Sequence, residues 1–553
     1  MTLGALWRES ARKFPGRTAM LMPSGKKEFK PLTYRELDER IRAFAASVRE
    51  LGLKRGDRLA IFSESAPEWA WLDWACLSLG VVVVPIYPTL PADQAAHILA
   101  DSGASVVVCG KEDLKAKVTG TRALLFSELP QVEPLSSEEM DREIDATKPE
   151  DLATIIYTSG TTGVPKGAMI PHCAPVHMCG AVARALPLNE EEIFLSFLPM
   201  SHVYERCAGQ FLPIALGACI AYAKSLASIG NDLVTVKPTV MLCVPRFLES
   251  FQGRVTDAVE KAPPLRQRLF RWGMSQGVKR AKGEFAPFAA ILDKFVMAKL
   301  RERVGGRMRY FVSGGAALAP SVAEFYMACG LTVLQGYGLT ETCGGTVVNR
   351  PGKNNKYWTI GEPLETEAKL ADDGELWLRG QMIMQGYWNL PEATAEVLDA
   401  DGWFHTGDIA EWEGKSLKIT DRKKDLLVLG NGKNIAPQKI ENKLRTSPLI
   451  AEAVVLGDGY DHCVALIVPA FEAVRAKLGH SDEEPLSGNA EAKKLVKAEV
   501  DRINKTLANF EAVKKFALLD APFTVESGEM TPTLKVKRKV VRDRHKDLLE
   551  TLR

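Results

Sequence analysis

Tyr157-Thr-Ser-Gly-Thr-Thr-Gly-Val-Pro-Lys-Gly167 is a glycine- and hydroxyl-rich run directly behind the apolar segment from Leu152 to Ile156. Gly160, Gly163 and Gly167 open backbone conformations closed to other residues, so amide N–H groups can converge on an anion. Thr158, Ser159, Thr161 and Thr162 add hydroxyls that can donate to phosphate oxygens or face a metal. Lys166 adds a mobile point charge. The run reads as a cradle for a polyphosphate and points to a nucleoside triphosphate as substrate. It differs from the loop of the common NTPases, which needs Gly-x4-Gly-Lys-Ser/Thr. Here Pro165 stands where the second glycine would be, and Gly167 follows the lysine.

Working outward, the flanking chain predicts the frame around this loop. Thr33 and Glu36 form a capping box that opens a helix with Leu37, Ile41, Phe44, Val48 and Leu51 on one stripe, and Gly52 stops it. Strands are expected at 58–62, 81–84 and 105–109, and helices at 68–79 and 94–102. Alternating helices and continuously apolar strands imply an α/β fold with a parallel sheet covered on both faces. The pattern persists to about residue 335, after which the texture changes. Strand-like segments at 368–370 and 375–378 flank Asp372-Asp373-Gly374, a hairpin signal, and Trp412 and 417–419 flank Glu413-Gly414. A β-rich subdomain is therefore expected from about 350 to 420.

The charge run Asp421-Arg-Lys-Lys-Asp425 is a solvated turn or a hinge, because a new unit starts behind it. A helix at 435–445, strands at 451–457 and 463–469, and a helix at 490–507 predict a small C-terminal α+β domain. The expected organisation is a large layered α/β domain over 1–421, a hinge at 422–425, and a mobile domain over 426–553, about 130 residues and within the usual domain size.

Composition narrows the partners. The 553 residues are 46% hydrophobic, enough for more than one core, and the net charge of +2 gives no reason to expect nucleic acid. Ten scattered cysteines without a Cys-x-x-Cys pair read as reduced thiols of a cytoplasmic protein. The first twenty residues carry Arg8, Arg12, Lys13 and Arg17 with no apolar core segment, which is not the pattern of a secretory signal. No run reaches the roughly 18 apolar residues of a membrane span, so membrane contact, if any, is expected to be peripheral. Oligomeric state is not legible; a dimer is compatible.

Further motifs carry chemistry. Ser313-Gly-Gly-Ala-Ala317 follows the apolar Tyr310-Phe-Val312, and Gly314, Gly315 and Ala316 either seat a flat ligand against backbone or simply pack. In Gln335-Gly-Tyr-Gly-Leu-Thr-Glu-Thr342, Tyr337 can stack on a purine and Glu341 offers a hard oxygen for Mg²⁺; the bland alternative is a turn capped by Thr340. Trp403-Phe-His-Thr-Gly-Asp408 ends in a carboxylate able to accept both hydroxyls of a ribose, and Arg422 is a second ribose or phosphate contact. In Leu198-Pro-Met-Ser-His-Val-Tyr-Glu-Arg206, His202 alone would read as structural. Lys535 lies in a basic run with Lys537, Arg538, Lys539, Arg542 and Lys546, which reads as a solvated helix face; spacing does not choose Lys535 over Lys537.

Together these strings resemble the adenylate-forming superfamily of acyl- and aryl-CoA synthetases, luciferases and peptide-synthetase adenylation domains. The His-x-x-Glu-Arg string, Val244-Pro-Arg-Phe-Leu-Glu249, Asn431-Gly-Lys-Asn-Ile-Ala-Pro-Gln-Lys-Ile-Glu441 and Thr531-Pro-Thr-Leu-Lys-Val-Lys-Arg538 are similar to the long-chain fatty acyl-CoA synthetases. The resemblance implies activation of a fatty acid by ATP to acyl-AMP, then thioester formation with coenzyme A. It implies that the 157–167 loop holds the β- and γ-phosphates and that Thr158 and Glu341 hold Mg²⁺. Gly314, Gly315, Ala316, Gln335, Gly336, Tyr337, Gly338 and Thr340 would line the nucleotide, and Asp408 and Arg422 would hold its ribose. Lys535 would catalyse adenylation, His202 would lie by the acyl group, and Lys424 would be the hinge. An aryl acid or a carrier-protein thiol is the alternative chemistry. An acyl-nucleotide binder or a peripheral membrane protein using the basic tail is the non-enzymatic one.

Overall fold

Strands Arg58–Phe62, Val82–Ile86 and Val106–Cys109 are apolar at nearly every position, so neither face can stay wet. The computed structural model describes residues 1–25, 28–158, 164–352, 355–430, 433–479, 485–531 and 536–553. It places these strands parallel inside a six-stranded sheet. The order is Arg122–Leu125, Val106–Cys109, Arg58–Phe62, Val82–Ile86, Leu152–Thr158 and Lys166–Pro171. The last pair departs from the all-parallel expectation: it is antiparallel, with Thr158 opposite Lys166. The reason is length, since a parallel crossover needs about a dozen residues and the link from Thr158 to Lys166 is shorter. The described ends of the glycine-rich run, Thr158 and Lys166, thus lie opposite one another in an antiparallel strand pair.

Helix Pro67–Leu79 is apolar almost all round and correspondingly buried. Trp74 on this helix meets Phe211 edge-on at 5.0 Å between ring centroids, and Trp7 at 5.7 Å. The capping box forms in both directions: the Thr33 hydroxyl accepts from the Glu36 N–H at 3.2 Å, and the Glu36 carboxylate accepts from the Thr33 N–H at 2.7 Å.

A second, nine-stranded sheet carries the other motifs. Its central strands Val240–Cys243, Tyr310–Ser313 and Thr332–Tyr337 run parallel, with Cys243 beside Ser313 and Ser313 beside Gln335. Their carboxyl ends therefore finish at one level, the edge at which open α/β sheets bind ligands.

The chain divides into two compact units. The larger comprises Met1–Lys369, Trp377–Thr406 and Trp412–Leu417; the smaller comprises Leu370–Leu376, Gly407–Glu411 and Lys418–Arg553. A four-stranded sheet, Glu367–Leu370, Glu375–Arg379, Phe404–Glu413 and Ser416–Arg422, contributes residues to both. The expected Asp-Asp-Gly turn lies between its first two strands, with Gly374 at φ +82°. In the smaller unit, Ile450–Leu456 pairs antiparallel with Cys463–Pro469, which pairs parallel with Val513–Leu518. Helix Ala490–Asn504 buries Val496, Val500 and Ile503 in the core below them. The α/β class, with a large N-terminal part and a small α+β C-terminal part, is borne out. No helix among the described residues is long and apolar enough to cross a membrane.

Candidate active site

The antiparallel pair of Leu152–Thr158 and Lys166–Pro171 is braced from outside. The chain at 385–388 runs beside the Lys166–Pro171 strand, with Trp388 N–H donating to Gly167 O at 2.7 Å and Gln385 N–H to Met169 O at 2.9 Å. This turns the Tyr387 ring under the Lys166 ammonium, 5.2 Å from the ring centroid. The Tyr387 hydroxyl donates to Glu341 Oε1 at 2.8 Å. Met384 N–H donates to the Glu341 carbonyl at 2.8 Å, fixing the short turn that carries the carboxylate. Thr158, Lys166 and Glu341 are thereby brought to one edge. Tyr387 is a residue the sequence reading missed; its signal is an aromatic pair, Tyr387-Trp388, directly behind Gly386 at φ +135°. Ser159, Gly160, Thr161, Thr162 and Gly163, like Lys535, lie outside the described residues. The donor set fits Mg²⁺: a carboxylate with one oxygen held by Tyr387, and a Thr158 hydroxyl on the neighbouring strand end, are the hard oxygens that ion takes.

Three motifs meet at the carboxyl edge of the second sheet. Gly314 sits against the Tyr204 ring so closely that a Cβ would lie 2.9 Å from Tyr204 Cζ. The Tyr204 hydroxyl donates to Val312 O at 2.8 Å. Gly338 approaches the backbone of Gly344, where a Cβ would come within 2.5 Å, so only glycine fits. Tyr337 and Gly336 end the Thr332–Tyr337 strand, opposite Val347 and Val348. Gly315, at φ +81°, and Ala316 follow the neighbouring strand. Gln335 is occupied with protein: Nε2 donates to Tyr357 O at 2.6 Å, and Oε1 accepts from Leu318 N–H at 3.3 Å. The turn at Glu341 is capped by Thr342, whose hydroxyl accepts from Leu339 N–H at 2.8 Å, and not by Thr340, the cap of the bland alternative. Thr340 contributes its carbonyl, which accepts from Cys343 N–H.

His202 donates its backbone N–H to Pro199 O at 2.9 Å and accepts from Tyr204 N–H on Nδ1 at 3.1 Å. A neutral ring accepting on Nδ1 carries its proton on Nε2. The ring meets Tyr87 edge-on, 6.3 Å between centroids. Leu198, Tyr204 and Leu242 form a small apolar cluster with Phe197, Val244 and Val312.

Glu205 and Arg206 open a π-helical stretch, Glu205–Phe211. Arg206 is 1% exposed. Its guanidinium grips Asp73 with two nitrogens, and its third donates to the Thr154 hydroxyl at 2.7 Å. Thr154 lies on the strand that leads into the phosphate loop. Asp73 is the second residue the sequence reading missed, and its signal was an acid inside an otherwise apolar helix. Glu205 accepts from Ser196 at 2.5 Å, and burial pushes its carboxyl up to about 7.

In the smaller unit, Arg422 Nε lies 3.2 Å from Asp408 Oδ1, so the two expected ribose contacts form an ion pair. The charge run is split in its exposure: Asp421 is buried and its carboxyl is pushed up to about 7 by desolvation, whereas Lys424 is exposed in the Lys423–Asp425 turn. Lys423 pairs with Asp373 at 2.6 Å and Glu375 at 2.9 Å. The basic run is corrected at Arg538. It turns inward to pair with Glu441 and donates to Val455 O at 2.6 Å, because a half-buried carboxylate and a buried carbonyl await it there. Met530 and Val536 bridge across the segment that bears Lys535.

Comparison with known proteins places this geometry. The model of the AMP-binding enzyme family matches residues 7–388, and that of the AMP-binding enzyme C-terminal domain matches 424–552. A long-chain-fatty-acid–CoA ligase of Mycobacterium bovis is 35% identical, covering 94% of this chain and 92% of its own. The fatty acyl-CoA synthetase A of Dictyostelium discoideum is 30% identical, covering 99% and 89%. Among solved structures, the adenylation domain of a carboxylate reductase from Mycobacterium chelonae superposes with a TM-score of 0.75 at 25% identity, covering 100% of this chain and 91% of its own. The o-succinylbenzoate CoA synthetase of Bacillus subtilis, solved with its acyl-adenylate intermediate, shares the fold at a TM-score of 0.74 and 22% identity, covering 97% of each. With one family model spanning most of its length and the C-terminal domain model matching 424–552, the chain belongs to the AMP-binding enzyme family.

Proposed function

We propose that the protein joins a long-chain fatty acid to coenzyme A through an acyl-adenylate. A carboxylate oxygen is a poor leaving group, so a thiol does not displace it directly. In the first step a carboxylate oxygen attacks the α-phosphorus of ATP. The bond from that phosphorus to the bridging oxygen breaks, and pyrophosphate leaves with the electron pair. In the second step the coenzyme A thiolate, its proton lost to solvent, attacks the acyl carbonyl. The acyl–oxygen bond breaks and AMP leaves.

The observation that carries this reading is the joint placed by Tyr387 between Lys166 and Glu341, at the mouth of the glycine-rich hairpin. It sets a cation and a carboxylate together where a triphosphate would lie. Glu341 and Thr158 would hold Mg²⁺, which screens the phosphate charge. Tyr337 and the Gly314–Ala316 backbone would seat the adenine, and Asp408 with Arg422 the ribose. His202 would lie by the acyl end, with the buried apolar cluster of Leu198, Tyr204 and Leu242 packed nearby. Lys535 would neutralise charge at the α-phosphorus during displacement. Lys424 would be the hinge about which the Lys535-bearing domain, residues 426–553, swings away from 1–421 between the two steps. The relative named a long-chain-fatty-acid–CoA ligase supports the choice of acid.

The test is pyrophosphate release across saturated acids of increasing length, with benzoate and coumarate alongside. Long-chain acids should drive release and the aromatic acids should not; the reverse order overturns the substrate. Lys535→Ala should lower release by about 10²–10³-fold, the cost of one electrostatic donor, while thioester formation from supplied acyl-AMP persists. Equal loss of both half-reactions removes Lys535 from that role.

A further inference from the structure

Residues 264–307 carry eleven Lys and Arg against three Asp and Glu, in a chain whose net charge is only +2. The remainder of the molecule is therefore net negative, and the excess of positive charge lies in this segment. It also holds the most exposed aromatic side chains of the described residues: Phe285 is 86% exposed and Phe295 65%, with Leu265 at 69%.

The two features occupy one continuous face. Helix Pro264–Ala281 is seated on helix Pro320–Ala328 through Gly277, where a Cβ would lie 2.3 Å from Ala328 O. The stripe formed by Leu265, Leu269 and Trp272, spaced by four and three residues, is left exposed. Trp272 meets Phe288 at 5.1 Å between centroids, which joins this stripe to a second one. Phe288, Ile291 and Phe295, again at helical spacing, continue it along Ala289–Leu292 and the π-helical turn Asp293–Met297. Beside them Arg268, Arg271, Lys279, Lys294 and Lys299 pair with no carboxylate among the described residues, whereas Arg280 and Arg301 share the one carboxylate of Asp293.

We propose that this face is a docking surface for a bilayer carrying anionic phospholipid. Exposed aromatic and aliphatic side chains interleaved with Lys and Arg that pair with no described carboxylate fit the interfacial mode, in which rings enter the headgroup boundary and cations meet phosphate. A protein interface core is depleted of charge, above all of lysine, and a surface of this composition departs from that. The proposal is independent of the activity assigned above, and its measurement uses neither ATP nor acid.

The experiment is cosedimentation of the full chain with vesicles of phosphatidylglycerol and phosphatidylcholine in equal amounts, and with vesicles of phosphatidylcholine alone. The wild-type chain should bind the anionic vesicles and leave the neutral ones. F285S/F288S/F295S and, separately, R268Q/R271Q/K279Q should each bind about a hundredfold more weakly, from the loss of three inserted rings or three surface cations. Unchanged pyrophosphate release with a short soluble acid would show both variants folded. K539Q/K546Q, in the C-terminal basic run, should bind as the wild type does. Failure of the wild-type chain to prefer anionic vesicles overturns the proposal, as does wild-type binding by either triple variant, or a loss confined to K539Q/K546Q. A dimer that dissociates in F285S/F288S/F295S by light scattering while vesicle binding is unchanged would make the face a contact between copies. Displacement of the chain from vesicles by poly(U) at equal charge would make it a nucleic-acid surface. Either result overturns the membrane assignment.

Discussion

His202-Val-Tyr-Glu-Arg206 and Asp421-Arg-Lys-Lys-Asp425 look alike as sequence, two short strings dense in ionisable side chains. The fold treats them in opposite ways. Arg206 is wholly enclosed and held by Asp73 and Thr154, while Lys424 stands in solvent on a one-turn corner. Each string nonetheless hides one acid, Glu205 or Asp421, whose carboxyl is raised to about 7 by burial. The difference teaches that charge in a motif has no fixed meaning. An enclosed, paired cation is a structural tie, and an exposed one beside a chain junction is free to serve a motion.

The largest expected effect falls on the enclosed tie. Arg206→Ala strands Asp73 without its partner and should destabilise the larger unit by about 3–5 kcal/mol in denaturant unfolding. Replacing both, as Asp73→Leu with Arg206→Met, should recover most of that loss. If the single variant costs less than about 1 kcal/mol, water reaches the pair and the contrast with Lys424 collapses.

Glu205 comes next, through pH. Its folded carboxyl titrates above the ordinary glutamate range, so its contribution is fully present below that range and is lost as pH rises toward about 7. The protein should therefore lose stability between pH 5 and pH 8, and Glu205→Gln should reduce that loss by about 2–3 kcal/mol at the alkaline end. Asp421→Asn should act in the same direction on the smaller unit. A melting profile whose pH slope is unchanged by Glu205→Gln sinks the prediction.

Tyr387→Phe probes the joint between loop and carboxylate. It removes one hydrogen bond to Glu341 while keeping the ring under Lys166, and should slow pyrophosphate release about fivefold, near 1 kcal/mol. Full activity would mean that Glu341 is placed by its backbone alone.

The smallest expected change is at the solvent-facing lysine. Lys424→Ala should alter stability by no more than about 0.5 kcal/mol, as an exposed side chain does. Lys424→Pro, by contrast, should slow thioester formation and spare pyrophosphate release. Equal rates in both half-reactions would leave the corner without a hinge role.

Much of the frame was legible because its signals are local. The capping box at Thr33 and Glu36, the alternating apolar strands and the Asp-Asp-Gly turn each depend on neighbours a few residues away. The antiparallel return of Lys166–Pro171 follows from a link too short for a crossover, a length printed in the chain but decisive only once the two strands are known to pair. Asp73 and Tyr387 could not be read as parts of the site. Their partners Arg206 and Glu341 lie 133 and 46 positions away. Arg538 was misjudged for the same reason, since its partner Glu441 is 97 positions distant.

What the chain alone determined, then, is chemistry that lies within one continuous string: glycines before a lysine, a carboxylate behind a turn, apolar runs with strand or helix period. Only the tertiary structure decided which charges are buried and which remain in water. Burial depends on residues far apart in sequence meeting in space, and the cost of desolvating an ion is set by those partners and by nothing in its own neighbourhood.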